Sequence, residues 1–123
     1  MEKYELLPKQ LIHEGTCDPD DFFSPQTLDE GVVKIIHQKD YINRLKRLDL
    51  NRSEVRKIGF PISQQLVERE FIIAGGTLEG ALKSLQEGIS FNIAGGTHHA
   101  YSNHGEAFCM LNDQAIAAQY LLD

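Results

Sequence analysis

A long run of regularly spaced apolar residues, Val67, Phe71, Ala74, Leu78, Leu82 and Leu85, dominates the middle of the chain. Its steps of three and four residues keep these side chains on one helical face, and the phase survives passage through Gly75 and Gly76. Two glycines inside a helix cost about 2 kcal/mol in propensity, a cost that makes sense if another backbone comes close there or if the helix kinks. Ser63 is placed to cap this helix and Gly88 to stop it.

The pattern elsewhere is shorter. Tyr41, Leu45 and Leu48 have helical spacing behind a cap at Asp40, and Gly59, Phe60 and Pro61 read as a turn. Met1 to Gln26, with Pro8, Pro19, Pro25 and a polar cluster at Thr16 to Asp21, reads as loops with one short helix. Ile89 to Ile93 alternates, favours β structure and is bounded by glycines, which predicts a strand. His98 to Glu106 is polar and without period. Asn112 or Asp113 then caps a last helix carrying Ile116, Ala117, Tyr120 and Leu121.

Helix, strand, loop, helix is the order of an α/β protein. A single strand is not a stable sheet. Residues 1–123 are therefore expected to be an incomplete N-terminal segment of one larger α/β domain; the alternative is that Met1 to Leu50 contains further strands.

Composition narrows the function classes. The chain has 123 residues, 41% hydrophobic and 24% charged, enough for one core. Its formal net charge is −6, and the densest basic stretch, Arg44 to Arg56, has acids among its bases, so nucleic acid is not the expected partner. No apolar run approaches the roughly 18 residues of a membrane span, and Met1 to Gln10 lacks the layout of a secretory signal; a cytoplasmic location is expected. Cys17 and Cys109 form no C-x-x-C pattern and read as reduced thiols, with Cys109 buried in the apolar run Ala107 to Leu111.

Candidate chemistry concentrates after the predicted strand. The pentapeptide IAGGT occurs at Ile73 to Thr77 and again at Ile93 to Thr97, where it leads directly into His98 and His99. The first copy falls on the helical stripe, the second at the predicted strand's end, where α/β proteins place their sites. Gly95 and Gly96 permit close approach of a ligand or a neighbouring chain. Four readings of the loop compete. A phosphate cradle lacks the usual lysine and glycine spacing. A metal site with His98, His99 and His104 is awkward, because adjacent side chains of an extended backbone point to opposite sides. Two histidines hydrogen-bonded in a turn, or an acid/base pair acting near neutral pH, complete the set. No G-x-S-x-G elbow supports a nucleophile. His13 and His37 lack partner clusters, and His37 is the better placed of the two for a structural contact.

The segment GGTHHAYSNHGEAFCMLND, Gly95 to Asp113, resembles the G-G-x-H-H-A, G-F-C and N-D signature of the histone deacetylase family, including its bacterial acetoin-utilisation and acetylpolyamine-hydrolase relatives. The preceding REFIIAGGTLEGALKSLQEGISFNIAGG is similar to that family's lead-in, and IIHQKDYINRL to its V-H-x-x-x-Y segment. The resemblance implies the arginase/deacetylase fold, a parallel sheet with helices on both faces. It implies a zinc-dependent hydrolase removing acetyl or a short acyl group from acetylated lysine, a polyamine or another acyl-amine. His99 corresponds to the general base and His98 to its charge-tuning partner; Gly96, Ala107 and Phe108 correspond to positions near substrate, Phe108 being the aromatic wall of the acyl-lysine channel.

The chain departs from the family pattern in two places. The family's G-F-C stands here as Ala107, Phe108 and Cys109, and its Asp-Arg-Gly as Asn103, His104 and Gly105. The family's Asp-x-His, later Asp and late Tyr have no counterpart in the 123 residues, nor does its opening strand before YELLP. Zinc is thus expected in the complete protein without ligands from this chain, and the chain alone is expected to be inactive. The competing expectation is a catalytically silent relative that acts as a binding or self-association module.

Overall fold

The structure is a computed structural model and describes residues 2–123. The elements are α1 (Glu2–His13), α2 (Glu30–Val33), α3 (Lys39–Lys46), α4 (Arg52–Ile58), α5 (Gln64–Glu87) and α6 (Asp113–Leu122), with a 3₁₀ turn at Pro19–Asp21.

The 24-residue α5 is the axis of the fold. Ser63 Oγ accepts from the amide of Leu66 at its start, and Gly88, at φ 97°, ends it. Its apolar stripe forms the core as far as Leu78, and Leu82 and Leu85 emerge into solvent. Against Val67, Phe71, Ala74 and Leu78 pack Tyr41, Ile42 and Leu45 of α3, Ile58 of α4, Met110, Leu111, and Ile116 and Ala117 of α6.

Gly75 shows why α5 tolerates glycine. A Cβ there would lie 2.0 Å from the carbonyl oxygen of Gln26, and a Cβ on Gly76 would meet Pro25 and Asn92. The segment Pro25 to Leu28 thus crosses directly over the helix backbone, held by the Leu28 amide donating to the Phe71 carbonyl at 3.1 Å and the Gln26 amide donating to the Glu79 carboxylate at 2.9 Å. The expected close approach is the reason for the glycine pair.

Polar contacts join the smaller helices. Arg44 donates to Asp40 at 3.0 Å within α3 and to Glu54 of α4 at 2.6 Å, and the guanidinium holds the Glu54 carboxyl below its ordinary pKa. Glu54 also closes a capping box with Asn51. Glu30 of α2 bonds Lys34 and Lys46, so α2 is tied to the end of α3.

Three expectations are corrected. Met1 to Gln26 is expected to be loops with one short helix, but its helix, α1, runs twelve residues over Glu2–His13 with Pro8 inside it, and Tyr4 lies under Arg69 of α5 with the guanidinium carbon 5.0 Å from the ring centroid. The α3 cap is Gln38 rather than Asp40, and Leu48 lies beyond the helix, exposed, at φ 59°. Ile89 to Ile93 is not a strand, and the described residues contain none: no second strand lies beside it to take up its amides and carbonyls, and Ile89 and Phe91 are 68% and 80% exposed. The second IAGGT accordingly enters its loop from irregular chain.

Gly75→Ala is expected to lower stability by about 2 kcal/mol, because backbone rather than a flexible side chain opposes the methyl. A urea unfolding midpoint lowered relative to wild type checks this; an unchanged midpoint contradicts the crossing.

Candidate functional site

The loop from Gly95 to Leu111 is irregular, and its shape comes from what grips it. At its first end stands Asp113, buried at the start of α6. One carboxylate oxygen, Oδ2, accepts from the Gly96 amide at 2.8 Å and from the Thr77 hydroxyl of α5; the other accepts from the Gln114 amide. Asn92 Nδ2 donates to Thr77 Oγ1 at 2.8 Å and to the Ile73 carbonyl at 2.9 Å. The two IAGGT copies therefore touch. A Cβ on Gly95 would fall 2.5 Å from Thr77 Oγ1 and Asn92 Nδ2, so only glycine admits this junction, while Gly96, at φ 101°, turns the chain into the loop.

Asn112 and Gln114 extend the grip. Gln114 Nε2 donates to the Gly96 carbonyl at 3.0 Å, and Asn112 Nδ2 donates to the carbonyls of His98 at 3.3 Å and Ala100 at 3.4 Å. Asn112 also caps α6 through its side-chain oxygen and the Ala115 amide. With its backbone so held, the loop presents His98 and His99 to solvent, their ring centroids 4.4 Å apart and their planes tilted by 31°. His104 does not join them: it stacks on Tyr101, its Nδ1 is 2.7 Å from Asn103 Oδ1, and its Nε2 is 3.5 Å from Glu106.

The second branch carries Ala107 and Phe108 at the tip of a two-residue turn closed by reciprocal bonds between Glu106 and Cys109. Both have positive φ, 46° and 64°, the region that favours glycine or asparagine in such turns and costs other residues about 1 kcal/mol or more each. The family's glycine at position 107 would relieve that strain. Main-chain bonds hold the turn to α4, with the amides of Ala107 and Phe108 donating to the carbonyls of Lys57 and Ile58. Phe108 is 63% exposed and stacks on Phe60 at 5.8 Å. Cys109 is buried as expected, its thiol facing the Leu111 carbonyl, while Ala107 and Phe108 at the turn's tip are exposed.

His37 bears out its expected structural role. It is 2% exposed, and its Nε2 accepts from the Asn112 amide at 3.0 Å. Four residues on, the buried Tyr41 hydroxyl donates to the Met110 carbonyl at 2.7 Å. Burial pulls the His37 pKa down by more than the adjoining backbone of Tyr101 and Ser102 raises it, so the folded ring favours the neutral form. These ties from α3 to the loop were not visible in the sequence pattern; the V-H-x-x-x-Y likeness was their one signal.

Among the described residues no group of three or more His, Cys, Asp or Glu side chains is arranged to hold a metal ion. The described residues do not fit a zinc site.

The histone deacetylase domain family matches residues 1–123, the whole chain, and the chain belongs to that family. An uncharacterized protein of Picosynechococcus is 37% identical over 97% of the chain, and the acetoin utilization protein AcuC of Bacillus subtilis 30% identical over 94%. The chain spans 40% and 33% of those relatives' lengths. Among solved structures, an HDAC homolog from Aquifex aeolicus is 25% identical with a TM-score of 0.72, covering 88% of this chain and 32% of that one; an HDAC homolog complexed with SAHA gives 0.73 at 24% identity and the same coverage. The helices described above thus follow the deacetylase fold.

Because the folded His37 pKa lies below the 6.5 of the unfolded chain, the unfolded state takes up the proton first on acidification. Stability is therefore full above about pH 6.5 and falls as the pH drops toward the folded value. Thermal midpoints at about pH 7.5 and pH 5 should differ less in His37→Gln than in wild type; an equal difference contradicts a neutral buried ring.

Proposed function

We propose that the protein carrying this chain is an amide hydrolase that removes acetyl or a short acyl group from lysine or a related amine, with His98 and His99 as its proton-handling pair. The observation that carries this reading is the held loop: two adjacent imidazoles, open to solvent on a backbone pinned by Asn112, Asp113 and Gln114, in a chain matched throughout by the histone deacetylase domain.

In this reading a water molecule attacks the amide carbonyl while His99 takes its proton; the C–O bond forms, the C–N bond breaks, and the pair returns a proton to the leaving amine. His98, in van der Waals reach of His99, tunes the charge on that base and favours the anionic tetrahedral intermediate. Phe108 and its partner Phe60 offer an apolar face for the alkyl stem of a lysine-like substrate. The family resemblance implies zinc as well, with ligands from residues outside these 123. A cytoplasmic location belongs to the same proposal; no described helix is long and apolar enough to cross a membrane.

In the full-length protein, His99→Ala is expected to reduce kcat on an acetyl-lysine peptide by about a hundredfold or more, with bound metal unchanged. Wild-type turnover in that variant would sink the assignment.

A second reading is favoured by one feature. Leu85, Ile89, Phe91 and Leu122 are 73%, 68%, 80% and 80% exposed, an amount of bare apolar surface suited to association with a second copy. On this reading the 123-residue chain sediments as a dimer or larger species at high concentration, and a monomer across the range removes it.

A further inference from the structure

The N-terminal edge of α3 fastens the active loop along its length. Gln38 donates its amide to the Ser102 carbonyl at 2.8 Å, Tyr41 donates its hydroxyl to the Met110 carbonyl, and His37 Nε2 receives the Asn112 amide. Asn112 is the point where these ties meet the site, because its side chain reaches back to the carbonyls of His98 and Ala100. One peptide unit is thus fixed by His37 on its main-chain side and fixes the two-histidine segment on its side-chain side.

The protonation of His37 follows from geometry. A nitrogen that accepts an N–H carries no hydrogen, so Nε2 is bare and a neutral ring bears its proton on Nδ1. Nδ1 is buried, and although the backbone of Tyr101 and Ser102 lies beside the ring, it makes no hydrogen bond of normal distance and angle. A buried donor left unpaired is a cost that an apolar side chain of similar size would not carry, and the acceptor at Nε2 is what the imidazole supplies in exchange. An imidazolium could not serve, since two N–H groups would then face one another.

We infer that His37 is a positioning residue for catalysis: as a neutral acceptor it orients Asn112, and through Asn112 it sets the backbone from which His98 and His99 project. The inference rests on the proposed hydrolase reading for its catalytic consequence, but not for its structural one. The acceptor, rather than the bulk of the ring, is the functional part. The imidazole also makes a tilted contact with the Tyr41 ring, centroids 5.7 Å apart.

The test uses the full-length protein with His37→Leu, which keeps bulk and removes the acceptor, and His37→Gln, whose amide oxygen restores one. Amide hydrogen exchange at Asn112 and the kinetics on an acetyl-lysine peptide are the two readouts. His37→Leu is expected to speed exchange at Asn112 by about tenfold or more and to lower kcat by a similar factor, with KM within about threefold of wild type. His37→Gln is expected to recover both to within about threefold. Unchanged exchange in His37→Leu overturns the inference, as does equal impairment in the two variants, which would mark a packing role. If His37→Leu does not fold, His37→Gln decides alone: recovery supports the acceptor role and a Leu-like loss of exchange protection ends it. If the wild type hydrolyses no acylated amine, the proposed function fails, and the exchange data still judge His37.

Discussion

A single buried carboxylate, that of Asp113, holds together the long helix, the two-histidine loop and the last helix. It is buried, and a buried carboxylate is tolerable only where donors surround it. Thr77 comes from the long helix, the Gly96 amide from the start of the two-histidine loop, and the Gln114 amide from the helix that follows. Removing any one leaves a desolvated acceptor short of a partner. The constraint also explains Gly95, where a Cβ would collide with Thr77 and with the Asp113 carboxylate itself. The repeated IAGGT is therefore two halves of one junction: the first copy contributes a hydroxyl, the second an absent side chain and an amide.

Much of the helical frame was legible because it obeys local rules. The α5 stripe, its Ser63 cap and its Gly88 stop are all encoded within a few residues of where they act. The Asn112 cap of α6 is of the same kind. Some of what is less legible is still local: Asn51 and Glu54 form a capping box ahead of α4, and Tyr4, Leu7 and Leu11 form a helical series that the proline in α1 obscures. The predicted strand failed for a different reason. Alternation at Ile89 to Ile93 records a preference, whereas a strand is a relation between two segments.

The candidate site divides in the same way. The histidine pair and its glycines stand out in the sequence because rare residue types are adjacent. The apparatus that holds them does not, since it consists of side chains bonding main-chain atoms across long separations, as His37 does with Asn112 and Tyr41 with Met110. A main-chain partner leaves no residue-type signature. Ala107 was legible as a departure from the family pattern, but its positive φ, and hence the nature of the departure, belongs to the three-dimensional turn.

That turn has a further consequence. The last carbonyls of α4 are closed not by the next turn of their own helix but by the amides of Ala107 and Phe108, some fifty residues downstream. Helix ends ordinarily fray on their own, at little cost to the rest of a protein. Here fraying of α4 would release the aromatic face of the site, so opening of one entails opening of the other. The end of α4 and the Phe108 turn form a single cooperative unit, and the rigidity of the site is borrowed from a helix that contributes no reactive group to it.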